Sequence, residues 1–96
     1  MTDAITPDTQ ARFDRACDDV KALTNVTNDD KGVLYGLFKQ ATLGDNAQPR
    51  PPFNVFDMLS AAKWNAWEAR RGTSREQAAA QYAEFVQSKR LAAAEE

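Results

Sequence analysis

Histidine is missing from this sequence altogether, and cysteine occurs once, at Cys17. Without histidine the usual zinc sites and Cys-His nucleophile pairs lack a ligand or a base, and a lone cysteine cannot close an internal disulfide. No catalytic residue, no metal site and no cofactor is therefore expected. Long hydrophobic runs are lacking too. No apolar stretch approaches the ~20 residues that span a bilayer, and the opening MTDAITPDTQ has neither the basic nor the hydrophobic region of a secretory leader. A cytoplasmic protein without stable membrane insertion is the expectation. Nor is there an excess of positive charge: 12 Lys+Arg stand against 14 Asp+Glu, a formal net charge of -2. Broad nucleic-acid binding needs many phosphate contacts from a basic surface and is not expected, whereas a small anionic ligand needs only a local group of cations.

What is present suits one small globular domain over residues 1–96, with 43% hydrophobic and 27% charged residues. In ARFDRACDDVKAL the apolar residues Phe13, Cys17, Val20 and Leu23 recur at helical spacing, which predicts a first helix from about Pro7 or Asp8. The turn-rich TNVTNDDKG follows. Thr27 and Asp30 form a capping-box pattern for a second helix, which Gly44 would end, and DNAQPRPP then forbids regular structure. Asn54 followed by Asp57 can start a third helix carrying Phe56, Leu59, Lys63, Trp64, Trp67 and Arg70 toward a stop at Gly72. Thr73 and Glu76 repeat the capping-box pattern ahead of a fourth, with Ala78, Tyr82, Phe85, Val86 and Lys89, ending at the tail LAAAEE. No strand alternation or solenoid repeat competes, so an all-α fold is predicted. Short links make neighbouring helices antiparallel, while the long proline-rich link lets the second and third run parallel.

The stretch VLYGLFKQATLGD places Tyr35 over Lys39 with Phe38 beside them on one helix face. A phenol, a ring and an ammonium together suit a phosphorylated, ring-bearing ligand. Taken alone they better suit plain packing, with the lysine stem covering apolar surface. Trp64 and Trp67, three apart, are expected in the core, and Lys63 beside Trp64 at its boundary, where it can serve a pocket rim. Lys21 is expected in solvent. Tyr82, among alanines, suits either packing or the close approach of a ligand. The pairs Asp18–Asp19 and Asp29–Asp30 are explained by caps and solubility rather than acid-base chemistry.

Taken in order and spacing, YGLFKQATLGD, AKWNAWEARRGTSREQA and then Tyr82 resemble the acyl-CoA-binding protein family over almost the whole chain. The resemblance implies a four-helix bundle in up-down-down-up order, a monomer that binds long-chain fatty acyl-CoA and catalyses nothing. It further implies that Tyr35, Lys39 and Lys63 hold the ribose 3'-phosphate, supported by Lys21. Phe38 would cover adenine, Tyr82 would lie at the nucleotide, and Gly36 and Leu37 would share the ligand-binding segment. Val33, Phe56 and Leu59 are the candidates for the acyl groove. Acyl-CoA-using enzymes are the implied partners. The chain departs from the family pattern at Phe38, where tyrosine is common, at Cys17, where a small residue is usual, and in the lengths of residues 24–31 and 45–62. A helical protein-protein interaction module is the alternative, and a thioesterase a third, weakened by the missing histidine.

Overall fold

Four α-helices carry the described chain, residues 3–95 of the computed structural model: α1 (Pro7–Asp19), α2 (Asn28–Leu43), α3 (Met58–Glu68) and α4 (Arg75–Ala94). Met1 and Thr2 of the opening segment and Glu96 of the tail lie outside the described residues. A single 3-10 turn, Val20–Ala22, prolongs α1, and no strand occurs among the described residues.

The start of each helix follows from local chemistry. Pro7 occupies the first turn of α1, where its missing N–H costs nothing. Thr27 and Asp30 make both bonds of a capping box: the Asp30 N–H donates to the Thr27 hydroxyl, and the Thr27 N–H to the Asp30 carboxylate. Asp57 caps α3 by accepting from the Ser60 N–H. The box ahead of α4 is Ser74 with Gln77, one residue later than the Thr73–Glu76 pair expected. The reason is tertiary. Glu76 already accepts from the Thr6 N–H at 2.8 Å and from the Thr6 and Thr9 hydroxyls, which ties α4 to the start of α1. Gly44 ends α2 at φ 79°, a backbone conformation that other residues rarely adopt. Helix α3 stops at Glu68 rather than at Gly72, while α4 continues through Leu91–Ala94, since alanine is the best helix former.

Contacts between the helices fix their directions. Thr9 meets Glu76 and Asp19 meets Arg90, so α1 and α4 run the same way. Asp30 meets Lys89 and the Ala41 carbonyl accepts from Arg75, so α2 opposes α4. Lys63 lies over Tyr35 and the indole of Trp67 donates to the Gly44 carbonyl, so α3 runs with α2. The result is an up-down-down-up four-helix bundle.

Its core comes from three of the four. Phe13 and Ala16 of α1, Leu34, Leu37 and Ala41 of α2, and Ala78, Ala79, Tyr82, Ala83 and Val86 of α4 form one buried cluster. Burying a large apolar side chain there contributes about 1.5–3 kcal/mol. Helix α3 rests on α2 outside this cluster, anchored by the buried Trp67 and by Arg71, whose guanidinium donates to the Asn46 carbonyl. Trp64 departs from the expected core position: it is half-buried beneath the proline-rich segment, donating its indole N–H to the Gln48 carbonyl at 2.8 Å. Ahead of and into α3, Phe53, Val55, Phe56, Met58 and Leu59 stand exposed. No helix among the described residues is long and apolar enough to cross a membrane.

Candidate functional site

Gly36 sets the geometry of the site. A Cβ built at this position would lie 2.2 Å from the Ala66 carbonyl oxygen, so only glycine lets the α2 and α3 backbones come this close. Toward the N-terminal ends of both helices the interface opens into a trough of about 390 Å³. Its α2 wall is Asn28, Lys31, Gly32 and Tyr35, and its α3 wall Leu59, Ala62, Lys63 and Ala66. Both sets follow the three-and-four spacing that puts side chains on one helix face. Glycine and alanine leave the floor open.

A second hollow, also of about 390 Å³, lies on the other side of Tyr35, toward α1 and α4. Val20, Leu23, Val26, Leu34, Phe38 and Tyr82 line it with Lys31 and Tyr35. Its aromatic wall is braced from behind. Phe13 stacks on Phe38 with centroids 5.8 Å apart and meets Tyr82 edge-on at 5.0 Å, so the Phe38 ring is held although it is 40% exposed. Burial pushes the Tyr82 phenol well above its usual range, with Cys17 beside it, and burial likewise raises the Cys17 thiol. Both groups are neutral near pH 7. A third hollow, under the proline-rich segment, is lined by Gln48, Pro49, Pro51, Ser60, Trp64 and Trp67 and again by Tyr35 and Lys63.

Tyr35 thus stands where all three hollows meet, and cations gather around it. The Lys63 ammonium lies 5.7 Å from the centre of its ring, and the Lys39 ammonium lies 5.8 Å from it and 5.6 Å from that of Trp67. Cation-ring attraction is worth about 0.5–1 kcal/mol at exposed sites. It does not neutralise the charge. Among the described residues neither ammonium forms an ion pair, whereas Lys21 pairs with Asp18 at 3.6 Å and Lys89 with Asp30 at 2.6 Å. Two unneutralised like charges from different helices, beside a phenol, make a site for an anion with several acceptor oxygens.

The structure therefore brings Tyr35, Phe38, Lys39, Lys63, Tyr82 and Leu59 to one continuous surface. It does not bring the others. Lys21 points to Asp18 in solvent, and it lines neither of the hollows beside Tyr35. Leu37 is 2% exposed, in the core, because α2 turns it toward α1 and α4, and Gly36 serves the approach of α3. Val33 packs on the core cluster instead of the trough. Phe56 precedes the first turn of α3 and is 96% exposed, and it lines none of these three hollows. Lys31 escaped the sequence reading, yet it lines both the trough and the aromatic hollow. The signal was available: it stands four residues before Tyr35, as Lys39 stands four after.

Known proteins share the sequence pattern and the fold. The family described as Acyl CoA binding protein matches residues 10–86. This chain belongs to the acyl-CoA-binding protein family. The "Acyl-CoA-binding protein homolog" of Drosophila melanogaster is 42% identical to it over 77 residues, 79% of this chain and 87% of that protein. The "Acyl-CoA-binding protein" of Ricinus communis is 44% identical over 71 residues, 73% of this chain and 77% of that one. Among solved structures, that of Oryza sativa Acyl-CoA-Binding Protein 2 superposes with a TM-score of 0.82 at 37% identity, covering 90% of this chain and 94% of the other. The up-down-down-up bundle and the family expected from the YGLFKQATLGD and AKWNAWEARRGTSREQA segments are both met.

Proposed function

We propose that this member of the acyl-CoA-binding protein family binds medium- to long-chain fatty acyl-CoA thioesters without transforming them, buffering and carrying them in the cytoplasm as a monomer. One observation carries the proposal: the unpaired ammoniums of Lys39 and Lys63 converge on Tyr35, at the junction of an apolar trough and an aromatic hollow. The ribose 3'-phosphate sits among these three groups. Adenine lies against Phe38 in the aromatic hollow, and the acyl chain runs along the trough past Gly32, Ala62 and Leu59. A chain longer than the trough leaves beside Leu59, next to the exposed Met58.

The magnitudes are consistent with this division of labour. Covering about ten methylenes contributes roughly 8 kcal/mol before ordering and association costs. Each well-formed charged hydrogen bond to the phosphate adds about 1.5–3 kcal/mol. The nucleotide fixes position and the chain supplies much of the affinity. Nothing in this scheme activates water or a nucleophile: Cys17 is a partly buried thiol raised by burial, beside a phenol that burial keeps protonated.

Calorimetric titration with palmitoyl-CoA and with its analogue lacking the 3'-phosphate tests the reading. The intact ligand should bind more than tenfold tighter. Equal affinities would remove Tyr35, Lys39 and Lys63 from their roles, and no binding of either would return the chain to the class of helical interaction modules.

A further inference from the structure

Lys31 is a third cation beside Tyr35, and the 3'-phosphate does not account for it. Lys31, Tyr35 and Lys39 follow one another at four-residue steps along α2, a line of about 12 Å at 1.5 Å per residue. Lys31 and Tyr35 are the two side chains that line both the aromatic hollow and the trough. One molecule filling both must cross the α2 ridge beside one of them. The five lysines divide accordingly: Lys21 and Lys89 are ion-paired, while Lys31, Lys39 and Lys63 form no ion pair among the described residues. The carboxylate next to Lys31 in sequence, Asp30, is engaged elsewhere. It pairs with Lys89 and accepts from the Thr27 N–H, and these bonds hold it below the usual carboxylate range.

We infer that Lys31 holds the 5'-diphosphate of the bound thioester where the ligand passes from the aromatic hollow into the trough. The inference rests on the acyl-CoA reading and deepens it. Coenzyme A has two anionic centres, the 3'-phosphate and the diphosphate, on opposite sides of one ribose. With the first at Lys39 and Lys63, the second falls within reach of the next turn of α2, on the side of Tyr35 away from Lys39. That turn carries Lys31. With Lys63 engaged by the 3'-phosphate, a diphosphate crossing the ridge without Lys31 would lie unpaired against Leu34 and Gly32, which is costly. An ammonium on a flexible stem meets both phosphates without demanding one geometry.

Lys31→Met keeps the length of the stem and removes the charge. Titrated by calorimetry, it should bind palmitoyl-CoA about tenfold more weakly than the parent and lose the same factor with the analogue lacking the 3'-phosphate. Lys39→Met should lose affinity for palmitoyl-CoA but little for that analogue. Phosphorus NMR of bound palmitoyl-CoA at saturating protein supplies a second readout: in Lys31→Met the two diphosphate resonances should move toward their free positions while the 3'-phosphate resonance stays. Undiminished binding by Lys31→Met, a loss confined to the 3'-phosphorylated ligand, or a shift of the 3'-phosphate resonance alone would each overturn the inference and leave the acyl-CoA reading standing. Failure of the parent protein to bind palmitoyl-CoA would overturn both.

Discussion

Gly36 and Gly32 lie one turn apart in the same helix, and changing each to alanine should move stability in opposite directions. Removing glycine from a helix interior gains about 1 kcal/mol in either case, because alanine loses less backbone freedom on folding. Around Gly32 a new Cβ meets nothing within 4 Å. At Gly36 it would lie 2.2 Å from the Ala66 carbonyl oxygen and 2.9 Å from its carbonyl carbon, where a carbon and an oxygen normally approach to about 3.3 Å. The obstacle is backbone, so no rotamer change relieves it and α3 must retreat by about 1 Å. Overpacking of this kind costs about 1–3 kcal/mol, and a rigid neighbour puts it at the upper end. The net expectation is a loss of about 2 kcal/mol for Gly36→Ala, or roughly 8–16 °C in melting temperature for a domain of this size, against a gain of a few degrees for Gly32→Ala. Urea and thermal melts followed by circular dichroism read both. An equal rise for the two variants would refute the close approach of α2 and α3 on which the trough is built.

Three further predictions concern single side chains. Trp67→Phe removes the donor to the Gly44 carbonyl, and the orphaned buried acceptor should cost about 1–3 kcal/mol, measurable as a lowered urea midpoint. Lys39→Ala and Lys63→Ala should each weaken palmitoyl-CoA more than tenfold while the melting temperature hardly changes; loss of folding instead would make them packing residues. In the folded state the carboxyl of Asp45 is held below its usual range, first by the Gly72 N–H, then by the Gln40 amide and Arg71. A lowered folded pKa gives stability that is present above the unfolded value of about 3.9 and is lost as pH falls through the folded one. Asp45→Asn should therefore be less stable than the parent at pH 7, and the gap should close below about pH 4; a gap independent of pH would refute the assignment.

Several helix ends were legible in the sequence because they rest on contacts within a few residues: the Thr27–Asp30 box and the Gly44 stop formed as their chemistry suggested, whereas α3 begins at the Asp57 cap, three residues after Asn54, and ends before Gly72. The start of α4 was misplaced by one residue because TSREQ offers two overlapping boxes, and the choice was made by Thr6 and Thr9 some seventy positions away in sequence. Which face of a helix meets which neighbour was harder to read. Trp64 and Trp67 share a spacing compatible with one stripe, yet only Trp67 inserts beneath Gly44, because the proline-rich segment covers the other indole. Tyr35, Phe38 and Lys39 were readable as a group, whereas Gly36 and Leu37, adjacent to them, point elsewhere for the plain reason that neighbours on a helix diverge by about 100°. Lys31 was passed over because TNVTNDDKG reads as turn, although its last residues already belong to α2.

The buried cluster closes without any residue of α3, and this has a consequence for exchange with solvent. A helix outside the common nucleus can swing open while the other three stay assembled, so its amides should trade hydrogen for deuterium through a cheaper opening than those of α4. A guest lodged between α2 and α3 would bind only the shut form and hold it shut, its grip reported chiefly by slowed exchange in α3. Helix α3 thereby acts as a page whose binding is finished by what lies inside it.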